Sequence, residues 1–110
     1  MPTWQENFLQ EIERANEVRA RGNEGQARVC ARRAAGIAVR EYFARRGIQA
    51  ASSSAYDLLK ELLGMDDLPA GARQPAEALT LRVTEEFKLP VDVDLVKEAQ
   101  TLRERLLPGE

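Results

Sequence analysis

The 110-residue chain has no histidine, a single cysteine (Cys30), one tryptophan and only 5% aromatic residues. Without histidine the usual general base near neutral pH is missing, and so is every Ser–His or Cys–His nucleophile pair. The same gap removes the Glu-x-x-His pairs of di-iron bundles, and one cysteine alone cannot build a structural zinc site. No glycine-rich loop cradles a phosphate. No catalytic residue, metal or cofactor is therefore expected. Cys30 cannot form an internal disulfide. The opening "MPTWQENFLQEIER" has no cationic start, apolar core or small-residue cleavage site, so a cytoplasmic protein is expected. Apolar runs are only a few residues long, so neither a membrane-spanning helix nor a membrane partner is expected.

What is present is the balance of one folded domain over residues 1–110: 44% apolar and 31% charged residues, enough to bury about 65% of the unfolded surface. The net charge of −2 is uneven. Residues 1–50 hold nine arginines against six glutamates, and residues 51–110 hold seven basic against twelve acidic groups. Arginine outnumbers lysine 13 to 3, beside 16 alanines. Nucleic-acid-binding domains usually carry a clear cationic surplus, so DNA is not an expected partner.

Helical punctuation runs the length of the chain. Thr3 and Glu6 form a capping box, followed by an apolar stripe of Trp4, Phe8, Ile12, Ala15 and Val18 at steps of three and four. Gly22 predicts a left-handed stop, and Asn23 with Gln26 caps a second helix over Glu24–Arg46. Gly47 ends that helix, with Ile48 at the apolar position of a Schellman stop. Ser54 and Asp57 open a short helix carrying Leu58, Leu59, Leu62 and Leu63, stopped by Gly64. A fourth helix is predicted to begin near Pro75, where an absent N–H costs nothing. Asp92 is predicted to cap a fifth, with Val91 and Val96 as a staple and Leu95, Ala99, Leu102 and Leu106 facing inward. The fold class is all-α.

The stretch "ARVCARRAAGIAVREYFARRG" (27–47) is apolar on nearly every side at 100° per residue, the mark of a buried central helix. Its alanines and glycine allow neighbours to approach to about 8 Å. The arginines gather in lines: Arg28, Arg32 and Arg46 on one, Arg33 and Arg40 on another. Arg33 and Arg40, two turns apart, can grip a phosphate or a row of carboxylates. The competing reading is that they snorkel outward and pair with acidic groups of the later helices, such as Glu77, Glu85 or Glu98. Tyr42 and Phe43 point to different sides, so one of them is expected to line a groove or interface. Cys30 reads as a small core residue. The pairs Asp66-Asp67 and Glu85-Glu86 sit at helix ends or turns, where solvated charge is the default. Trp4 and Phe8 are expected to pack across the bundle, with a dimer surface including Leu9 as the alternative.

An Ala-rich second helix ending in Gly-Ile, a polar loop, the short helix "SAYDLLKELL" and the trailing "LRVTEEFKLPVDVDLVKEAQTLRERLL" together resemble the HEPN domain (higher eukaryotes and prokaryotes nucleotide-binding) over roughly residues 5–107. The resemblance lies in layout and hydrophobic pattern. It implies an antiparallel up-and-down bundle of about five helices, frequently dimeric. Members of that family act as ribonucleases, nucleotide binders or partners of small nucleotidyltransferases. Their ribonuclease signature, Arg followed by four to six residues and His, cannot occur in a chain without histidine. Where the family's short helix often opens near a His, this chain has Ser54, Ala55 and Tyr56. The resulting expectation is a non-catalytic interaction module, a homodimer binding a protein partner such as a nucleotidyltransferase. The alternative is a nucleotide or small anion held at an arginine edge, by Arg33 and Arg40 or by Arg28 and Arg32.

Overall fold

Each helix starts and stops for reasons visible in its end residues. The computed structural model describes residues 2–81 and 93–110, which form five helices and no strand: α1 (Trp4–Ala20), α2 (Glu24–Arg45), α3 (Ala55–Leu63), α4 (Arg73–Leu79) and α5 (Leu95–Leu106). Side-chain oxygens of Thr3, Asn23 and Ser54 accept hydrogen bonds from the N–H groups of Glu6, Gln26 and Asp57, satisfying donors that have no partner within their helices. Gly22 (φ 85°) and Gly47 (φ 68°) adopt left-handed backbone at the ends of α1 and α2. In both stops the following residue donates back into the last turn, Asn23 N–H to Val18 O and Ile48 N–H to Phe43 O, each at 2.9 Å. These are Schellman closures, and Ile48 packs on the core as that motif requires.

Two boundaries differ from the sequence expectation. The cap of α5 is Asp94, whose carboxylate accepts from the N–H groups of Val96 and Lys97; Asp92 and Val91 lie outside the described residues. The Asp94 carboxylate also meets Arg19 of α1 across the fold, at 3.0 Å. The fourth helix begins at Arg73, so Pro75 is its third residue. It is tolerated there because the first-turn N–H groups have no intrahelical acceptor.

The expected role of the second helix is met. α2 touches all four other helices, and its Ala27, Cys30, Ala31, Ala34, Ala35, Ala38 and Val39 are fully buried. Against them pack Phe8, Ile12 and Ala15 of α1, Leu58, Leu59 and Leu62 of α3, Ala76 and Leu79 of α4, and Leu95, Ala99 and Leu102 of α5. The result is one contiguous core. A radius of gyration of 13.4 Å is close to the roughly 13 Å of a compact domain of this size. Tyr42 and Phe43 are both buried, which corrects the expectation that one would line a groove. A helix covered on several sides offers more than one interior face, and the two rings share one cluster with centroids 6.4 Å apart. The Tyr42 hydroxyl accepts from Arg46 at 3.0 Å, so its polar end is satisfied. Among the described residues no helix is long and apolar enough to cross a membrane.

Arg19 donates to both Glu24 and Asp94, joining the α1–α2 turn to the start of α5. Partial burial pushes the Asp94 carboxyl up, but the hydrogen bond from Arg19 and those from the backbone of Lys97 and Val96 outweigh it and hold the group below its ordinary 3.8. A carboxylate with a lowered pKa contributes stability that is present above the ordinary value and lost as pH falls through the lowered one. Asn at position 94 would keep the cap but not the charge. Because the Arg19 and Asp94 side chains are 31% and 48% exposed, Asp94→Asn should cost only about 0.5 kcal/mol at pH 7. That difference should shrink in urea titrations repeated at successively lower pH, as wild type loses the same charge on passing through the lowered pKa.

Candidate functional site

The four arginines singled out from the sequence separate in three dimensions. Arg32 donates from Nε to the Leu79 carbonyl (2.9 Å) and from Nη2 to the Leu81 carbonyl (2.8 Å). A guanidinium is well suited to that task, because its fork of N–H donors meets two carbonyls at the end of α4. Arg28, one turn earlier and half-buried, has its Nε buried with no hydrogen-bond partner among the described residues. This edge of α2 therefore supports the end of α4 through Arg32.

Arg33 and Arg40 come together on a different wall. They line a cleft of about 400 Å³ with Glu11 of α1, Gly36 and Ile37 of α2, Ser53 and Ser54 of the connecting loop, and Ala55 and Leu58 of α3. That volume lies within the range of small-molecule sites, about 300–1,000 Å³. The two arginines are seven positions apart, roughly 10.5 Å along the helix axis, and their long side chains can converge from there on one anionic group. Arg40 spends one donor on the Ser53 carbonyl, at 3.1 Å. Arg33 is exposed and makes no hydrogen bond or ion pair among the described residues. Neither reaches Glu77 or Glu98, as the outward-pairing reading required, and Glu85 lies outside the described residues.

The start of α3 forms part of the same wall. Ser54 uses its hydroxyl to cap Asp57 N–H, and the N–H groups of Ala55 and Tyr56 belong to the first turn, which carries the positive end of the helix dipole. The approach of α3 depends on Gly36. A methyl group there would lie 2.8 Å from Ala55 Cβ and 3.0 Å from Ala55 Cα. Glycine lets the opening turn of α3 rest directly on α2, beside both arginines.

Two other depressions have their arginines already engaged. Between α3 and α4, a hollow of about 480 Å³ includes Arg73, whose guanidinium donates to the carbonyls of Leu63 and Met65 at the end of α3. Between α1 and α5, one of about 440 Å³ includes Arg103, stacked 5.0 Å from the Trp4 ring and 4.9 Å from Phe8 and bonded to the Glu110 carbonyl. Trp4 also meets Arg45 at 5.9 Å, so it packs within the domain, and Phe8 is buried. Leu9 stays 53% exposed. Cys30 is fully buried on α2, consistent with a core thiol.

No group of three or more acidic, cysteine or histidine side chains among the described residues is placed to hold a metal ion. Asp66 and Asp67 form no such group, and Asp67 pairs with Arg46. Sequence reasoning missed Glu11 and the loop serines as members of the cleft. A usable signal existed for Glu11: residues 11 and 33 lie equally far from Gly22, so a tight turn there sets α1 against α2 with the two side by side. Comparisons with protein-family models, with curated proteins and with solved structures find no match for this chain.

Proposed function

We propose that this domain is a non-catalytic binder of a small phosphate- or carboxylate-bearing molecule, a nucleotide being one candidate, held by Arg33 and Arg40 beside the start of α3. The supporting observation is an exposed guanidinium, Arg33, unpaired among the described residues, on the wall of a 400 Å³ cleft that also holds Arg40 and a helix N-terminus. The absence of histidine favours binding over turnover. The helix order also supports reading the domain as an HEPN-like antiparallel up-and-down bundle. A homodimer, or a module docking on a nucleotidyltransferase, has less support. The apolar surplus of α2 is covered by the chain's own helices, and Leu9 and Val29 are the exposed large apolar side chains among the described residues.

Thermal unfolding with inorganic phosphate or AMP at millimolar concentration tests the reading, because a ligand that binds only the folded state raises the melting temperature. Arg33→Gln and Arg40→Gln should each weaken binding about tenfold or more by calorimetry, in line with about 1.5–3 kcal/mol for a hydrogen bond to a charged group. The double variant should show no ligand-induced shift. If wild type shifts with neither compound, binding of simple phosphates at this cleft is wrong.

A further inference from the structure

The cleft carries charge of both signs. Glu11 reaches it from α1, and its side chain is only 16% exposed. Its Oε2 is buried without a hydrogen-bond partner, and its Oε1 lies 3.7 Å from Arg14 Nη1, outside hydrogen-bonding distance. A carboxylate withdrawn from water and so weakly compensated is costly unless a donor or cation comes to it. Arg33 lines the same cleft yet is not bonded to Glu11. The site thus offers two separated attractions: guanidinium and helix-end donors for an anion, and a carboxylate for a cation.

A simple dianion would gain from the arginines but be repelled by Glu11. A plain amine would face the reverse. A molecule with an acidic group and an ammonium group a few bonds apart satisfies both ends and relieves the under-solvated carboxylate. Resting on the anion-binding reading above, we infer that the cleft takes small bipolar ligands, phosphorylated amines in class, with Glu11 receiving the ammonium while Arg33 and Arg40 hold the phosphate. Glu11 is then the residue that separates such ligands from ordinary phosphate esters.

Two soluble probes that differ only by the amine decide it: O-phosphoethanolamine and monoethyl phosphate, titrated by calorimetry into the full chain. In wild type, phosphoethanolamine should bind about tenfold tighter. Glu11→Gln keeps the size and removes the charge, so it should weaken phosphoethanolamine and tighten monoethyl phosphate, bringing their ratio to about one. Opposite movement of the two ligands is something a merely misfolded variant cannot produce, since misfolding weakens both. Equal binding of the probes to wild type, or a preference that survives Glu11→Gln, overturns the role of Glu11 and leaves the arginine site standing. Failure of both probes to bind overturns the arginine site as well.

Discussion

Phe43→Ala is expected to lower the unfolding free energy by about 3–5 kcal/mol, the range for removing a buried aromatic side chain and leaving a cavity. Phe43 is among the largest fully buried side chains, and it lies in α2, which every other helix touches. A cavity there cannot collapse by moving one helix, because each neighbour is also held by others. At about 4 °C or more per kcal/mol for a domain of this size, the melting temperature should fall by on the order of 15 °C. Leu9→Ala provides the comparison: its side chain is already half in water, so the change should stay within about 0.5 kcal/mol. Urea unfolding of both variants checks the pair. Similar losses in the two would mean that the interior is not organised around α2.

Gly36→Ala is expected to destabilise although alanine is the better helix former by about 1 kcal/mol. The new methyl would sit 2.8 Å from Ala55 Cβ and 3.0 Å from Ala55 Cα, and a backbone atom cannot move aside unless α3 moves with it. Overpacking of this kind costs about 1–3 kcal/mol and should outweigh the propensity gain. Gly25→Ala isolates the propensity effect, because its nearest neighbour is Asn23 Oδ1 at 3.8 Å. That variant should be neutral or slightly stabilising. Displacing α3 also withdraws Ser53, Ser54 and Ala55 from the arginines, so Gly36→Ala should weaken phosphate binding more than its stability loss explains. A Gly36→Ala protein more stable than wild type would show that α3 does not lie directly on α2.

Most of the fold is legible because its signals are local. A cap needs only the residues within its first turn, and a Schellman stop needs one glycine and the residue after it. Thr3, Asn23, Ser54, Gly22 and Gly47 could therefore be read directly. Asp94 could not be chosen over Asp92 by the same means, because two aspartates spaced two apart carry the same capping chemistry. The burial of both Tyr42 and Phe43 depends on how many helices surround α2, which periodicity alone does not reveal. The site was half legible. Helical phase placed Arg33 and Arg40 on one line, and it placed Arg28 and Arg32 on another with no indication that Arg32 would be used by the carbonyls of Leu79 and Leu81. Glu11 belongs to a different helix, and only the turn at Gly22 brings it to the cleft.

Arg19 has a consequence for the order in which the chain assembles. Its guanidinium bonds Glu24, five residues away, and Asp94, 75 residues away. Closing a flexible loop costs about (3/2)RT times the logarithm of its length, so the second contact demands roughly 2–3 kcal/mol more chain entropy than the first. The nearer bond is open to α1 and α2 as soon as they meet across Gly22. The farther one becomes favourable once α5 is already held against α2 by Leu95, Ala99 and Leu102. One side chain thus joins a contact open early in assembly to one that waits for α5.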